Sequence, residues 1–483
     1  MKKLLLLGAV ALLSSCATTP PMEIPEQLYL SDVTAQLRSG DLTSEALVAE
    51  LLQRVEAKAA LNAMITVNPE ALELAKERDR ERRRGQSRGP LHGVPLVVKD
   101  NIHVAGLANT AGTPALASFV PAQSNGSVEA LTAAGAIILG KTNLHELAFG
   151  ITSANAAYGA VGNPRDPRLM PGGSSGGTAA AIAAGLAPAG LGTDTGGSVR
   201  IPAALTGTAG FRPTPGRYPS EGVTPISHTR DTVGVMGGSV ADLILLDEAI
   251  TGTSNQFGDS LEPVRLGLIR NYYFAGLEKE TEQQMAAALT RLRDAGIDFV
   301  EVELPALGQQ VQAGFPIAIY EARRDLIKYL SDYDTGIDLQ ALAAQVASPD
   351  VKGVFGAVLD QSQVPEAVYR SALDDIGQMN ADFRQLFLDH NLDAIVFPTT
   401  PLTARPTEGS AETVELNGQQ VPTFPTYIRN TDPASLAGLP GVSLNAGNAP
   451  NGLPVGLELD GPPGGDAQLL QLALRIESLL RQP

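Results

Sequence analysis

One cysteine, no tryptophan and five histidines are all that 483 residues contain of these types. A lone thiol at Cys16 excludes a disulfide within the chain. The histidines are scattered without metal-ligand spacing, so neither a metal nor another cofactor is expected. Aromatic packing falls to 12 Phe and 10 Tyr. Positive charge is scarce. Lys and Arg number 35 against 52 Asp and Glu, a net charge of −17. That balance excludes the basic footprint of a nucleic-acid or anionic-lipid partner. No repeat with a period of 20–50 residues is found. The one basic run, ERDRERRRGQSR (77–88), starts among acidic residues and reads as the solvated end of a surface helix.

Long apolar runs are also missing, with one short exception. MKKLLLLGAVALLSSC opens with two lysines, followed by ten mostly apolar residues from Leu4 to Leu13. That is a secretory signal, too short to span a bilayer. Its end, Leu13-Ser14-Ser15-Cys16, resembles a bacterial lipobox, which implies cleavage before Cys16 and lipid on its thiol. Residue 17 is Ala rather than the Asp of an inner-membrane retention signal, so the expected site is the periplasmic face of the outer membrane. Loss of Lys2 and Lys3 takes the net charge from −17 to −19. The expected division is a signal over 1–15, lipidated Cys16 and a Pro-rich tether over 16–27, and one catalytic domain over 28–483.

What is abundant is glycine, 50 residues, and proline, 34, both suited to tight turns and close backbone approaches. Between them, helix and strand patterns alternate. Helices are expected over 42–59, capped by Thr43 or Ser44, and over 69–84, 127–135, 178–187, 278–296 and 466–480. Buried strands are expected over 93–100, 136–141, 187–194, 264–270, 299–304, 393–400 and 441–447. No linker-like break interrupts residues 28–480. The pattern predicts an α/β fold in which helices cover both faces of a central sheet.

Two glycine clusters, PGGSSGG (171–177) and GTDTGGSVR (192–200), hold three serines, yet residues 171–200 contain neither lysine nor histidine. A serine needs a base before it can attack. Gly135–Thr142 matches a phosphate-loop pattern only formally, because AIIL between its glycines is strand rather than open loop. Gly173-Ser174-Ser175-Gly176-Gly177 matches the nucleophile elbow of α/β-hydrolases, which would make Ser175 the nucleophile of an esterase. That fold needs a late histidine, and only His228 and His390 follow. A lysine whose pKa is lowered by burial is the other possible base. Lys99 and Lys141, each at the end of a buried strand, are the candidates, with pairing to Asp100 as the structural alternative.

VVKDN, then GGSSGG, then GTDTGGSVRIPA, in this order and beginning 18 residues after Ser174 for the last, resemble the amidase signature family. The resemblance implies a single large α/β/α sandwich around a mixed sheet, and hydrolysis of amides without a cofactor. It implies Lys99 as base, Ser174 as bridging residue after a cis peptide bond, and Ser198 as nucleophile. Thr195, Gly196, Gly197 and Ser198 would supply backbone N–H groups to the oxyanion. Ser175, Asp194 and Arg200 would support the site, and Lys141 would be structural. The other class left open is an inactive binding protein on the same fold. Segments 218–234, 315–330 and 347–355 are similar to those of the family's indoleacetamide and mandelamide hydrolases. They imply a small primary amide with an aryl group, held by Phe149, Ile151, Phe315, Ile319 and Tyr320.

Overall fold

The computed structural model describes residues 24–254, 263–360 and 362–481. Cys16, the signal and most of the tether lie outside the described residues.

Thirteen strands are described: β1 (Met64–Val67), β2 (Pro95–Lys99), β3 (Ile137–Thr142), β4 (Ala189–Asp194), β5 (Ala209–Arg212), β6 (Thr232–Gly237), β7 (Arg265–Leu268), β8 (Asp298–Glu301), β9 (Ala394–Pro398), β10 (Thr413–Leu416), β11 (Gln419–Pro422), β12 (Gly441–Asn448) and β13 (Pro454–Asp460). Eleven of them form one sheet in the order β1-β3-β2-β4-β6-β5-β12-β13-β9-β7-β8, and β10 and β11 form a separate hairpin. β2 runs parallel to β3 and β4, and β7 runs parallel to β8 and β9. The remaining pairings are antiparallel. The sheet is therefore mixed, as expected.

Alternation along the strands sorts the two faces. On β6, Val233 and Val235 join the large core. Met236 between them and the strand end packs instead with Ala179, Ile182, Val199 and Ala203. The first face is covered by helices that include Leu30–Ser39, Val240–Thr251, Lys279–Asp294 and Asp466–Arg481. The second carries helices Gly176–Ala183 and Arg200–Thr206. The first of these consists of Gly, Thr, Ala and Ile, and its small side chains let it lie close to β2 and β4. A Cβ on Gly190 would stand 3.1 Å from Thr178 Cγ2 and 2.5 Å from Val97 O, so glycine is required at this approach.

The helix expected over 42–59 spans Ser44–Ala57, and Thr43 is its cap, accepting from Ala46 N at 3.1 Å. The basic run differs from the expectation. Arg78 and Asp79 of helix Ala71–Arg83 are buried. Asp79 accepts from Ser44 N and Glu45 N, both at 2.9 Å, and so caps the N-terminus of a neighbouring helix. Arg82 bridges Asp79 to the carbonyl of His92. The charge pattern was that of a solvated face because the capped helix end lies 34 residues away in sequence.

Asp79→Ala leaves two helix N–H groups and Arg82 without their acceptor. The expected loss is about 1–3 kcal/mol of stability, measured by urea unfolding with unchanged m.

Candidate active site

The parallel strands β2, β3 and β4 bring their C-terminal ends together, the usual place for a site in such a sheet. Lys99 ends β2, Thr142 ends β3 and Asp194 ends β4. Lys99 Nζ lies 2.7 Å from Ser174 Oγ and 2.7 Å from Thr193 Oγ1. Asn101 Nδ2 also donates to Thr193 Oγ1, at 3.1 Å. With Thr193 Oγ1 accepting from Lys99 and Asn101, a neutral Lys99 can turn its single lone pair to the hydroxyl of Ser174. Burial pushes the Lys99 pKa down to about 7, although Asp194 and Asp231 pull it upward. The ammonium loses its hydration in this position and nothing within bonding distance replaces it with a charge.

The second lysine is resolved differently. Lys141 forms a fully buried ion pair with Asp100 at 2.9 Å and donates to Asn109 Oδ1. Asp100 is further held by the N–H and hydroxyl of Thr110. Asp100 is thus occupied by Lys141 and leaves Lys99 without a carboxylate partner.

Ser174 follows a cis peptide bond from Gly173. Ser175 N donates to Ser198 O at 3.1 Å, which ties the two glycine clusters together and sets Ser198 beside the Ser174 loop. Ser198 is 7% exposed. Beneath it, Asp194 organises the turn. Its oxygens accept from Gly197 N (2.8 Å) and Val199 N (3.2 Å), and from Arg200 Nη2 and Nε, both at 3.0 Å. Arg212 Nη1 reaches the same carboxylate at 3.2 Å. Burial would raise the pKa of Asp194, but Arg200 and Arg212 outweigh it and hold the carboxyl far below its usual range. Gly197 has φ +140°, and a Cβ there would stand 2.1 Å from Thr431 Oγ1. Both the dihedral and the close approach demand glycine.

The main-chain N–H groups of the expected oxyanion turn are not equivalent. The N–H of Gly197 is committed to Asp194 at 2.8 Å. Those of Thr195, Gly196 and Ser198 make no bond to the described residues and remain available. The side chain of Thr195 is fixed by donation to Asp231 at 2.6 Å. Ser175, the elbow serine, is locked to the main chain of Thr193, donating to O at 3.2 Å and accepting from N at 3.3 Å. Among the described residues no histidine side chain is hydrogen-bonded to Ser175; the ring of His145, whose main-chain N–H donates to Ser174 O, pairs with Asp350 instead. His228 bonds Asp325, and His390 is the exposed last residue of helix Glu366–His390.

Of the five apolar residues expected to form a pocket, Phe149, Ile319 and Tyr320 belong to one hydrophobic cluster and Ile151 to another. Ile151 is buried with Ile201, Tyr427 and Ile428, and its carbonyl carbon abuts Gly173. Phe149 packs edge-on to Phe355 at 5.5 Å. Ile319 and Tyr320 line a groove of about 420 Å³ with Val358, Val364 and Pro365, and Tyr320 stacks on Tyr369 at 4.1 Å. That groove contains none of the catalytic candidates. Phe315 is 63% exposed. On helix Gly314–Asp332, Glu321 accepts from Ser227 and Thr229. Ile428 was missed by sequence reasoning. Its Cδ1 stands 2.7 Å from the position a Gly196 Cβ would take, over the oxyanion turn.

A Lys99 that serves as base must be neutral to accept a proton, so activity is then expected to fall as pH drops through about 7. A kcat/KM profile from acid to alkaline pH measures this limb, and Lys99→Arg should abolish turnover at every pH.

Comparison with known proteins agrees with the geometry. The family model described as Amidase matches residues 46–470. The mandelamide hydrolase of Pseudomonas putida is 43% identical over 477 residues, covering 94% of this chain and 92% of that protein. The indoleacetamide hydrolase of Agrobacterium vitis is 41% identical over 455 residues, covering 93% and 97%. Among solved structures, the peptide amidase from Stenotrophomonas maltophilia superposes with a TM-score of 0.82 at 32% identity, covering 94% of this chain and 97% of that one. The chain belongs to the amidase family and is an amide-hydrolysing enzyme.

Proposed function

We propose that this enzyme hydrolyses small aryl-substituted primary amides to the carboxylic acid and ammonia, through an acyl-enzyme on Ser198. The observation that carries the mechanism is the 2.7 Å contact between buried Lys99 Nζ and Ser174 Oγ. Neutral Lys99 takes the proton of Ser174 as Ser174 takes that of Ser198, and Ser198 Oγ attacks the amide carbon. The oxyanion forms against the N–H groups of Thr195, Gly196 and Ser198, which are already oriented by Asp194 and Asp231. Ser174 returns the proton to the leaving nitrogen, and ammonia departs. Water then attacks the ester by the same relay in reverse and frees Ser198.

The substrate class rests on the mandelamide and indoleacetamide hydrolases at 43% and 41% identity. Ile151 and Ile428 support it as an apolar wall beside the two serine loops. Burial of an aromatic ring contributes roughly 25 cal/mol per Å², whereas one methylene discriminates by only about 1–3 kcal/mol. Broad tolerance of the ring follows. The lipobox supports an exported protein that carries lipid on Cys16 and meets its substrate at the periplasmic face of the outer membrane.

Ser198→Ala is expected to abolish turnover, and Lys99→Ala and Ser174→Ala each to lower kcat by about 10³-fold or more. The three act as one relay, so the Lys99→Ala/Ser174→Ala double variant should be little worse than either single. A fluorophosphonate probe should label Ser198 and leave Ser175 unmodified. In a kcat/KM panel, indoleacetamide, phenylacetamide and mandelamide should exceed acetamide and glutamine. Preference for the last two would remove the aryl assignment and leave amide hydrolysis standing. Cys16→Ala should abolish incorporation of labelled fatty acid and release the protein from the membrane fraction.

A further inference from the structure

Behind Asp194, five side chains with 0% exposure stand together: Arg200, Arg212, Asp194, Glu458 and Asp460. If all were ionised, two positive charges would meet three negative ones with no solvent to offset the difference. An uncompensated buried charge costs several kcal/mol or more. The neighbouring groups do not supply the missing charge. Arg230 is paired with Asp432 and donates to Gly314 O at 3.1 Å. Tyr273, from helix Arg270–Tyr273, is neutral with its hydroxyl buried and unpaired.

Glu458 and Asp460 are two apart on β13 and share the face turned to Arg200. Arg200 Nη1 donates to Glu458 Oε1 at 3.2 Å but stands 3.9 Å from Asp460 Oδ1. Both oxygens of Asp460 lack a hydrogen-bond donor among the described residues. A Cβ on Gly441 would meet Asp460 Oδ1 at 2.5 Å and Glu458 Oε1 at 3.0 Å, so the two carboxyls face one small gap opened by that glycine.

We propose that Glu458 and Asp460 share one proton in the resting enzyme, and that this half-neutralised pair leaves Arg200 free to brace Asp194. Burial raises both acids above their usual range, which agrees with a retained proton. The consequence is positional. Arg200 divides its donors, with Nε and Nη2 on Asp194 and Nη1 on Glu458. A second full charge on β13 would draw the guanidinium toward the strand. Asp194 would lose two of its donors, and with them the turn that orients Gly197, Ser198 and Val199. Glu458 and Asp460 are therefore positioning residues that act through Arg200 and Asp194. The effect on turnover rests on Ser198 being the nucleophile, whereas the protonation state is read without turnover.

The test is infrared difference spectroscopy of the full chain at pH 7, with ¹³C-carboxyl aspartate to assign bands. One protonated-carboxyl C=O band should be present in the wild type and absent from both Asp460→Asn and Glu458→Gln, because each single substitution leaves one carboxylate that ionises against Arg200. Its absence from the wild type, or its persistence in either variant, overturns the shared proton. The Asp460→Asn/Glu458→Gln double variant removes the negative charge of β13, and with it the charged anchor that holds Arg200 Nη1 in place. Its kcat should fall by at least about tenfold beyond the product of the two singles, with KM little changed. A double variant that equals this product overturns the brace through Arg200, whatever the spectra show.

Discussion

The carboxylate of Asp194 is the point on which the rest of the site depends. It sits at the end of β4 with no exposure and is held ionised by two guanidiniums. Taking such a group out of water is costly unless every lone pair finds a donor. Here the donors are Arg200, Arg212 and the N–H groups of Gly197 and Val199. The same bonds that stabilise the charge fix the turn around Ser198. Stability of the buried ion and orientation of the Ser198 turn are one requirement.

Lys99 obeys the opposite logic. It is as deeply buried as Asp194, yet its partners are hydroxyls rather than carboxylates. Solvation is lost without a full countercharge in contact, and the ammonium form is disfavoured. Lys141, one strand away, has Asp100 at 2.9 Å and is held by that pair. Two lysines at the ends of adjacent parallel strands thus differ in role because one carboxylate is placed against one of them. The α/β frame makes this possible. β2, β3 and β4 deliver their last residues to one edge, and the small-residue helix Gly176–Ala183 brings Ser174 and Ser175 over them.

Most of the strands that build this frame were readable from short apolar runs between glycines and charges. Lys99, Ser174, Ser198 and Asp194 were readable as well, since the serine motifs and VVKD are contiguous. Other elements were not. β13, PVGLELD, carries Glu458 and Asp460 on a fully buried face, and acids in a strand read as solvent-facing. β5 and β6 are glycine-interrupted and short. The helices between Gly314 and His390 were not among the expected elements, and nothing in their own pattern says which face meets the site.

What the sequence determined by itself is local: where chain segments are helical or extended, and which residue types stand within a few positions of one another. That sufficed for the family, the nucleophile turn and the candidate base. The tertiary structure decided whatever depends on partners distant in sequence. It gave Asp100 to Lys141 rather than Lys99 and turned Asp79 into the cap of another helix. It spent the Gly197 N–H on Asp194 and moved Ile319 and Tyr320 into a separate groove. It also set Glu458 and Asp460, some 260 residues from Arg200, against its guanidinium. Charges and apolar faces have no fixed meaning along a chain, because their energy depends on what folding places within a few ångströms of them.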